Sequence, residues 1–340
     1  MKNYKVAVVG ATGAVGLEMI KMLEDRNFPV ENIKFLASER SVGKKLTYNG
    51  KQVSVGLLTK NSGKGVDVAL FSAGSEISKE IAPFFANDGC FVIDNSSAWR
   101  MDKAVPLVVP EVNPKDLSKD KKIIANPNCS TIQMVVALKP LHDFAKIKRV
   151  IVSTYQSVSG AGQKGINELT EQTKAWAKYE TLPQPSKFHY QIAFNLIPQI
   201  DIFTDNGYTK EEMKMANETK KIMGGDNSIE VSATCVRVPV FRSHSESVWI
   251  ETEKPLPPVQ AKELLSKADG IQVLDEPESK KYPMPLFAET MQTTYVGRIR
   301  TDISTKNNAL TFWIVSDNLL KGAALNAVQI AETLVKNNIL

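Results

Sequence analysis

The feature that most restricts what this chain can fold into lies near its start. Gly10-Ala11-Thr12-Gly13-Ala14-Val15-Gly16 follows the apolar run Tyr4–Val9 and precedes Leu17–Glu24, whose Leu17, Ile20 and Leu23 recur at helical spacing. A strand, a glycine turn and a helix, followed by a second apolar run at Ile33–Ala37, predict a βαβ unit. The glycines permit a tight turn and a close backbone approach, and the first N–H groups of the helix suit a pyrophosphate. Short apolar runs at Val66–Phe71, Phe91–Asp94, Leu107–Val109 and Ile123–Ala125, with a helical stretch at Ser78–Ala86, extend the unit into a doubly wound, mostly parallel sheet.

The middle of the chain has a different pattern. Arg149–Gln156, Glu230–Pro239, Ser247–Thr252, Tyr295–Asp302 and Leu310–Val315 read as longer, partly alternating strands, separated by helices near Gln163–Tyr179, Lys210–Met223 and Val259–Lys267. That is the profile of an α+β domain with a large mixed or antiparallel sheet. An amphipathic stretch, Asn318–Asn337, closes the chain, and 340 residues are enough for two domains.

Composition narrows the function classes. With 43% hydrophobic and 23% charged residues the chain is an ordinary globular protein. The excess of 42 Lys and Arg over 37 Asp and Glu, +5, is spread in short pairs, which suits a small anionic ligand better than nucleic acid. No apolar stretch is long enough for a membrane span, and the start of the chain carries no apolar leader core, so the expected location is cytoplasmic. Three cysteines, Cys90, Cys129 and Cys235, follow no metal-ligand spacing and cannot all pair with one another, which argues for a reducing compartment and no metal.

Cys129 is the cysteine in a reactive context. It follows the strand-like Ile123-Ile124-Ala125 and the polar Asn126-Pro127-Asn128 turn, at the start of a helical pattern, where unpaired amides and the helix dipole favour a thiolate. Cys90 and Cys235 lie in apolar strand patterns and read as inert. Of the three histidines, His244 falls between two predicted strands, where a loop could aim it at the thiol; a structural role fits the spacing equally well. Arg237 alternates with Val236 and Val238, so its charge points into something polar, either a buried ion pair or a bound carboxylate. Ser38-Glu39-Arg40-Ser41, after the second strand, holds a carboxylate suited to a ribose hydroxyl and an Arg suited to a 2′-phosphate; NAD and NADP both stay open, with Arg40 favouring NADP.

An ordered set of motifs carries a family resemblance. Gly10–Gly16, Ser96–Arg100, Val108–Asn113, Asn126–Gln133, Gln156–Gly160, Glu211–Lys214, Cys235–Glu246 and Ser316–Ala324 together resemble the bacterial aspartate-semialdehyde dehydrogenases, across essentially the whole chain. The resemblance implies an α/β protein with a Rossmann-like NADP-binding domain, residues 1–127 and 317–340, and an inserted α+β catalytic and dimerisation domain, residues 128–316. It implies NADPH-dependent reductive dephosphorylation of L-aspartyl-4-phosphate to L-aspartate 4-semialdehyde by a homodimer, on the route to lysine, threonine and methionine. Cys129 becomes the nucleophile that forms a thioester, His244 the acid/base group, and Gln156 an orienting amide. Arg237 is then the carboxylate clamp, Glu211 the group near the substrate amine, and Arg100 with Lys214 the phosphate site. Thr12, Gly13, Ala14, Val15, Arg40, Ser41, Ser159, Gly160 and Asn318 would contact the cofactor.

Two other readings share part of this pattern. An N-acetyl-glutamyl-phosphate reductase would use the same thiol chemistry, but its cysteine typically sits in Gly-Cys-Tyr-Pro, whereas this chain has Asn128-Cys129-Ser130-Thr131. A non-catalytic NADP-binding sensor would keep the glycine turn and have no reason to keep Cys129, His244 and Arg237 together. A short-chain dehydrogenase is excluded, because none of the eight tyrosines has Lys four residues on.

Overall fold

The computed structural model describes residues 2–225 and 228–340, which form two compact units, 1–128 with 323–340, and 129–322. The first unit opens with β1 (Tyr4–Val9), α1 (Ala14–Asp25) and β2 (Val30–Ala37), then β3 (Lys45–Tyr48), β4 (Lys51–Leu57), β5 (Val68–Phe71), α2 (Ser75–Asn87), β6 (Phe91–Asp94) and β7 (Ile123–Ala125). Its seven-stranded sheet has the order β3-β4-β2-β1-β5-β6-β7, parallel except for the β3–β4 hairpin. Val6–Val9 and Val68–Phe71 are buried throughout because helices cover a parallel sheet on both faces.

The glycine turn sits where the strand order reverses about β1, the crevice in which open α/β sheets bind ligands. Gly10 has φ +79°, and a Cβ there would run into the Ser72 carbonyl group at the end of β5. Gly16, on the buried side of α1, lies so close to the Gly10 carbonyl that any side chain would force helix and strand apart.

The second unit contains α3 (Cys129–Ala145), β8 (Ile147–Gln156), α4 (Gln163–Ala177), α5 (Lys210–Ile222), β9 (Glu230–Arg237), β10 (His244–Thr252), α6 (Pro258–Ser266), β11 (Ile271–Val273), α7 (Pro285–Ala288), β12 (Thr294–Thr301) and β13 (Ala309–Ser316). Its six-stranded sheet, order β11-β12-β13-β10-β8-β9, is mixed. Met134, Ala137, Leu138 and Leu141 of α3 pack on Val150, Val152, Val248, Ile250 and Phe312 of the sheet. A π-helical turn, Leu320–Ala324, then leads into α8 (Leu325–Lys336), which returns to the first unit. There Asn326 donates to the Val108 carbonyl (3.0 Å) and to Asn126 Oδ1 (2.7 Å), and Arg26 of α1 grips Glu332 with two 2.7 Å bonds.

The structure corrects the sequence reading at four places. Leu107–Val109 is not a strand: Pro106 and Pro110 flank it, and only Leu107 makes a bridge, to Ala125. The β3–β4 hairpin was not foreseen, although its two-residue turn is Asn49-Gly50, both with positive φ. The closing helix begins at Leu325 rather than Asn318, after the π turn. His244 does not lie in a loop but begins β10, three residues ahead of the predicted strand start. Gly10→Ala is expected to lower the thermal midpoint by about 4 °C or more, through positive-φ strain and the Ser72 clash, as followed by calorimetry.

Candidate active site

The second unit gathers its polar residues by strand register. In the β8–β9 pair Gln156 lies beside Arg237, and one step beyond the Ser245–Tyr155 pair of β8–β10 His244 comes up beside Gln156. Three side chains from three adjacent strands therefore form one rung on the inward face. Cys129 is the first residue of α3, the helix that covers this face, so its thiol stands at a helix N-terminus. It is half-buried, whereas Cys90 and Cys235 are fully buried and burial pushes both thiols far up, which leaves them inert.

Hydrogen bonds tie the rung together. Gln156 Nε2 donates to Ser130 Oγ (2.8 Å), next to Cys129, and to Glu211 Oε1 (3.3 Å). Glu211 is buried and accepts from Lys214 Nζ (3.1 Å), which also bonds Asp201 (2.8 Å). Burial opposes the charge on Lys214, but Glu211 and Asp201 outweigh it and hold the ammonium above its ordinary value. Arg237 is buried and donates from Nη1 to the Ser157 carbonyl (2.6 Å). It lines a cavity of about 200 Å³ with Lys187, Phe188, His189 and Asp201, room for a small anionic molecule. Burial lowers the Arg237 pKa, Glu211 pulls it back, and the guanidinium stays charged.

His244 is completely buried, and burial together with Arg237 pushes its pKa well below the ordinary histidine value, so the ring is neutral. Nδ1 accepts the Ser157 N–H (3.1 Å), which puts the proton of the neutral ring on Nε2. Nε2 has no partner among the described residues. Gly160 makes room there: a Cβ at this position would lie 3.3 Å from His244 Nε2 and 2.9 Å from Arg237 Nη1. Asn318 Oδ1 accepts from Ser157 Oγ (3.1 Å), Ser159 Oγ (3.1 Å) and the Ser243 N–H (2.9 Å), pinning the segments that flank His244.

The remaining candidates lie in the first unit. Gly13 precedes α1 and is exposed, and no side chain caps the helix, so its first N–H groups fit a phosphate group of a dinucleotide. Thr12 Oγ1 and Ser41 Oγ are 3.1 Å apart, Ala14 and Val15 open the helix, and Arg40 is exposed. Arg100 is buried, with Nε on the Asn126 carbonyl (2.9 Å) and Nη2 on that of Asn95 (3.0 Å).

Comparison with known proteins identifies the family. Residues 5–120 match the family described as "Semialdehyde dehydrogenase, NAD binding domain", and residues 138–321 match "Semialdehyde dehydrogenase, dimerisation domain". The aspartate-semialdehyde dehydrogenase of Aquifex aeolicus is 60% identical over 99% of this chain and 100% of its own length, and that of Bacillus subtilis 52% over 99% of each. The chain belongs to the aspartate-semialdehyde dehydrogenase family. Among solved structures, aspartate semialdehyde dehydrogenase II from Vibrio cholerae, complexed with ASA, superposes with TM-score 0.95 at 50% identity, covering 99% of both chains. The enzyme from Candida albicans, solved with NADP, has TM-score 0.78 at 27% identity and full coverage of both.

As a member of the semialdehyde dehydrogenases, the chain is an α/β oxidoreductase with a nicotinamide-cofactor domain. Sequence reasoning missed Ser130, Ser157 and Gly322 as parts of the site. Ser130 and Ser157 lay inside quoted motifs, but only the fold pairs them with Gln156 and His244. Gly322 also lay inside a quoted motif, Ser316–Ala324, but only the fold sets it in the π turn, where a Cβ would approach Cys129 Cβ to 2.8 Å and Cα to 3.2 Å. Gly322→Ala should therefore displace the thiol and cut kcat by about 10²-fold, with the melting temperature changed by no more than about 5 °C; steady-state kinetics beside a thermal melt checks this.

Proposed function

We propose that this protein catalyses the reversible, NADPH-dependent reductive dephosphorylation of L-aspartyl-4-phosphate to L-aspartate 4-semialdehyde, through a thioester on Cys129. The observation that carries the reading is the rung of Arg237, Gln156 and His244 on the sheet face covered by the helix that Cys129 begins. A carboxylate clamp, an amide and a neutral imidazole on one face, with a thiol at a helix N-terminus, match the groups of an amino-acid acyl phosphate.

Cys129 attacks the acyl carbonyl as thiolate, a C–S bond forms, and the C–O bond to phosphate breaks with the electron pair leaving on phosphate. A bound reduced nicotinamide supplies the hydride that the thioester requires. His244 Nε2 faces the oxygen of the tetrahedral adduct and holds the proton there while the C–S bond breaks and Cys129 is regenerated. Arg237 holds the substrate carboxylate, Glu211 the ammonium, and Gln156 fixes the acyl group, while Arg100 and Lys214 neutralise the phosphate. Thr12–Val15, Arg40, Ser41, Ser159, Gly160 and Asn318 hold the cofactor. The Arg40 guanidinium, exposed beside buried Ser41, supports NADP over NAD.

The protein acts as a homodimer in the cytoplasm. Three free cysteines support a reducing compartment. Ile151, 47% exposed on β8, with half-buried Tyr155, Trp249 and Trp313 on the same outward sheet face, supports pairing with a second copy.

The test is phosphate-dependent reduction of NADP and of NAD with aspartate semialdehyde. NADP should be preferred, and Cys129→Ala should lose at least about 10³-fold in kcat; full activity of that variant would remove the covalent mechanism. Arg237→Lys should raise KM for the semialdehyde about tenfold or more, because a point charge replaces a two-pronged donor. An unchanged KM would take Arg237 out of the carboxylate role.

A further inference from the structure

We propose that Glu246, acting through Gln133, is a positioning residue that fixes the first turns of α3, and with them Cys129, against the strand that carries His244. The inference rests on Cys129 and His244 as the reacting pair. Strand register carries it: Glu246 lies beside Thr154 of β8 and Ile314 of β13, and Thr154 lies beside Cys235 of β9. Cys235, Thr154 and Glu246 thus form the rung directly beneath Arg237, Gln156 and His244, on the same face. The next rung, with Ala233, Val152, Val248 and Phe312, is apolar. On the covering helix, Gln133 stands one turn beyond Cys129 and is 1% exposed.

The hydrogen-bond inventory of this layer does not close with an ionised glutamate. Glu246 is completely buried, and among the described residues neither of its carboxyl oxygens nor Gln133 Oε1 has a hydrogen-bond partner within bonding geometry. Its neighbours are Gln133 from α3, Thr154 from β8, Cys235 from β9 and Ile314 from β13, none of them a cation. One proton on Glu246 resolves the mismatch, because an acid O–H can donate to Gln133 Oε1 and turn two orphan acceptors into a pair. Burial favours that form, pushing the carboxyl well above its ordinary range, with Gln133 opposing. Gln133 Nε2 already reaches the His244 carbonyl at 3.5 Å. The chain Glu246 to Gln133 to His244 then ties the helix of the nucleophile to the start of β10. An apolar side chain of similar size would pack there without a desolvation cost, which makes alignment the reason for an acid.

Glu246→Gln keeps a neutral donor in place of the protonated acid; Glu246→Leu and Gln133→Leu remove the tie. Glu246→Gln should stay within about threefold of the parent kcat, while either Leu variant should lose about 10- to 100-fold, with KM for aspartate semialdehyde and phosphate within about twofold. The double Leu variant should lose no more than a single one, as for two members of one connection. Alkylation of Cys129 by iodoacetamide, followed by mass spectrometry, reads the alignment without turnover and should slow in the Leu variants and not in Glu246→Gln. Parent-like kcat and alkylation in Glu246→Leu would overturn the proposal, as would equal losses in Glu246→Gln and Glu246→Leu. If Glu246→Leu fails to fold, Gln133→Leu decides on the same readouts. If the parent protein shows no phosphate-dependent NADP reduction but alkylation still separates Leu from Gln, the assigned reaction fails and the positioning role stands.

Discussion

The site depends on the backbone register of three adjacent strands. β9, β8 and β10 pair so that Arg237, Gln156 and His244 fall in one row on the inward face, and the same register puts Cys235, Thr154 and Glu246 in the row beneath. A slip of one residue in β10 would turn His244 and Glu246 to the opposite face and bring Ser245 in their place. The register is held from below by the apolar rungs that α3 covers, so the hydrophobic core of the second unit also fixes where the chemistry stands. The apolar core and the polar row share one set of backbone hydrogen bonds.

Burial then sets the electrostatics. Among the ionisable groups buried in this unit, Arg237, His244 and Glu211 are almost or wholly removed from water, and each meets the cost differently. Glu211 is paired with Lys214, which is paired again with Asp201. Arg237 keeps its charge, bonded to the Ser157 carbonyl and opening onto a cavity. His244 gives up its charge, and its Nδ1 accepts the backbone N–H of Ser157, leaving Nε2 as the one ring atom unsatisfied by protein. Burial thus leaves charge on Arg237, Glu211 and Lys214 and removes it from His244.

How much of this was legible depends on how local each signal is. The glycine turn and Cys129 were readable because strand, turn and helix follow one another within about a dozen residues and create their own electrostatic setting. The strand holding His244 was misread for a physical reason. Ser243-His244-Ser245-Glu246 shows no apolar alternation, since the inward positions here are polar, and hydrophobic periodicity cannot register a strand whose buried face is polar. The Asn49-Gly50 hairpin was passed over because Lys45, Lys51 and Gln52 make its strands look like solvated loop, although the turn itself was written plainly. Leu107–Val109 erred the other way: apolar enough for a strand, it is hemmed by prolines that cannot donate to a ladder.

By itself the sequence determined the fold class and the glycine turn of the cofactor domain, and it singled out Cys129 at a helix start, because each is a property of contiguous residues. Tertiary structure decided the rest. It gave Asn326 and Glu332 of the last helix their partners in the first unit, more than 200 residues away along the chain. It placed Ser157 against His244 across 87 residues of sequence and Gln156 against Glu211 across 55. It also required glycine at 322, beside a cysteine nearly the length of the second unit away. Contacts of that kind arise from how strands register and helices pack, and no local propensity encodes the distance between two side chains that the chain brings together only when it folds.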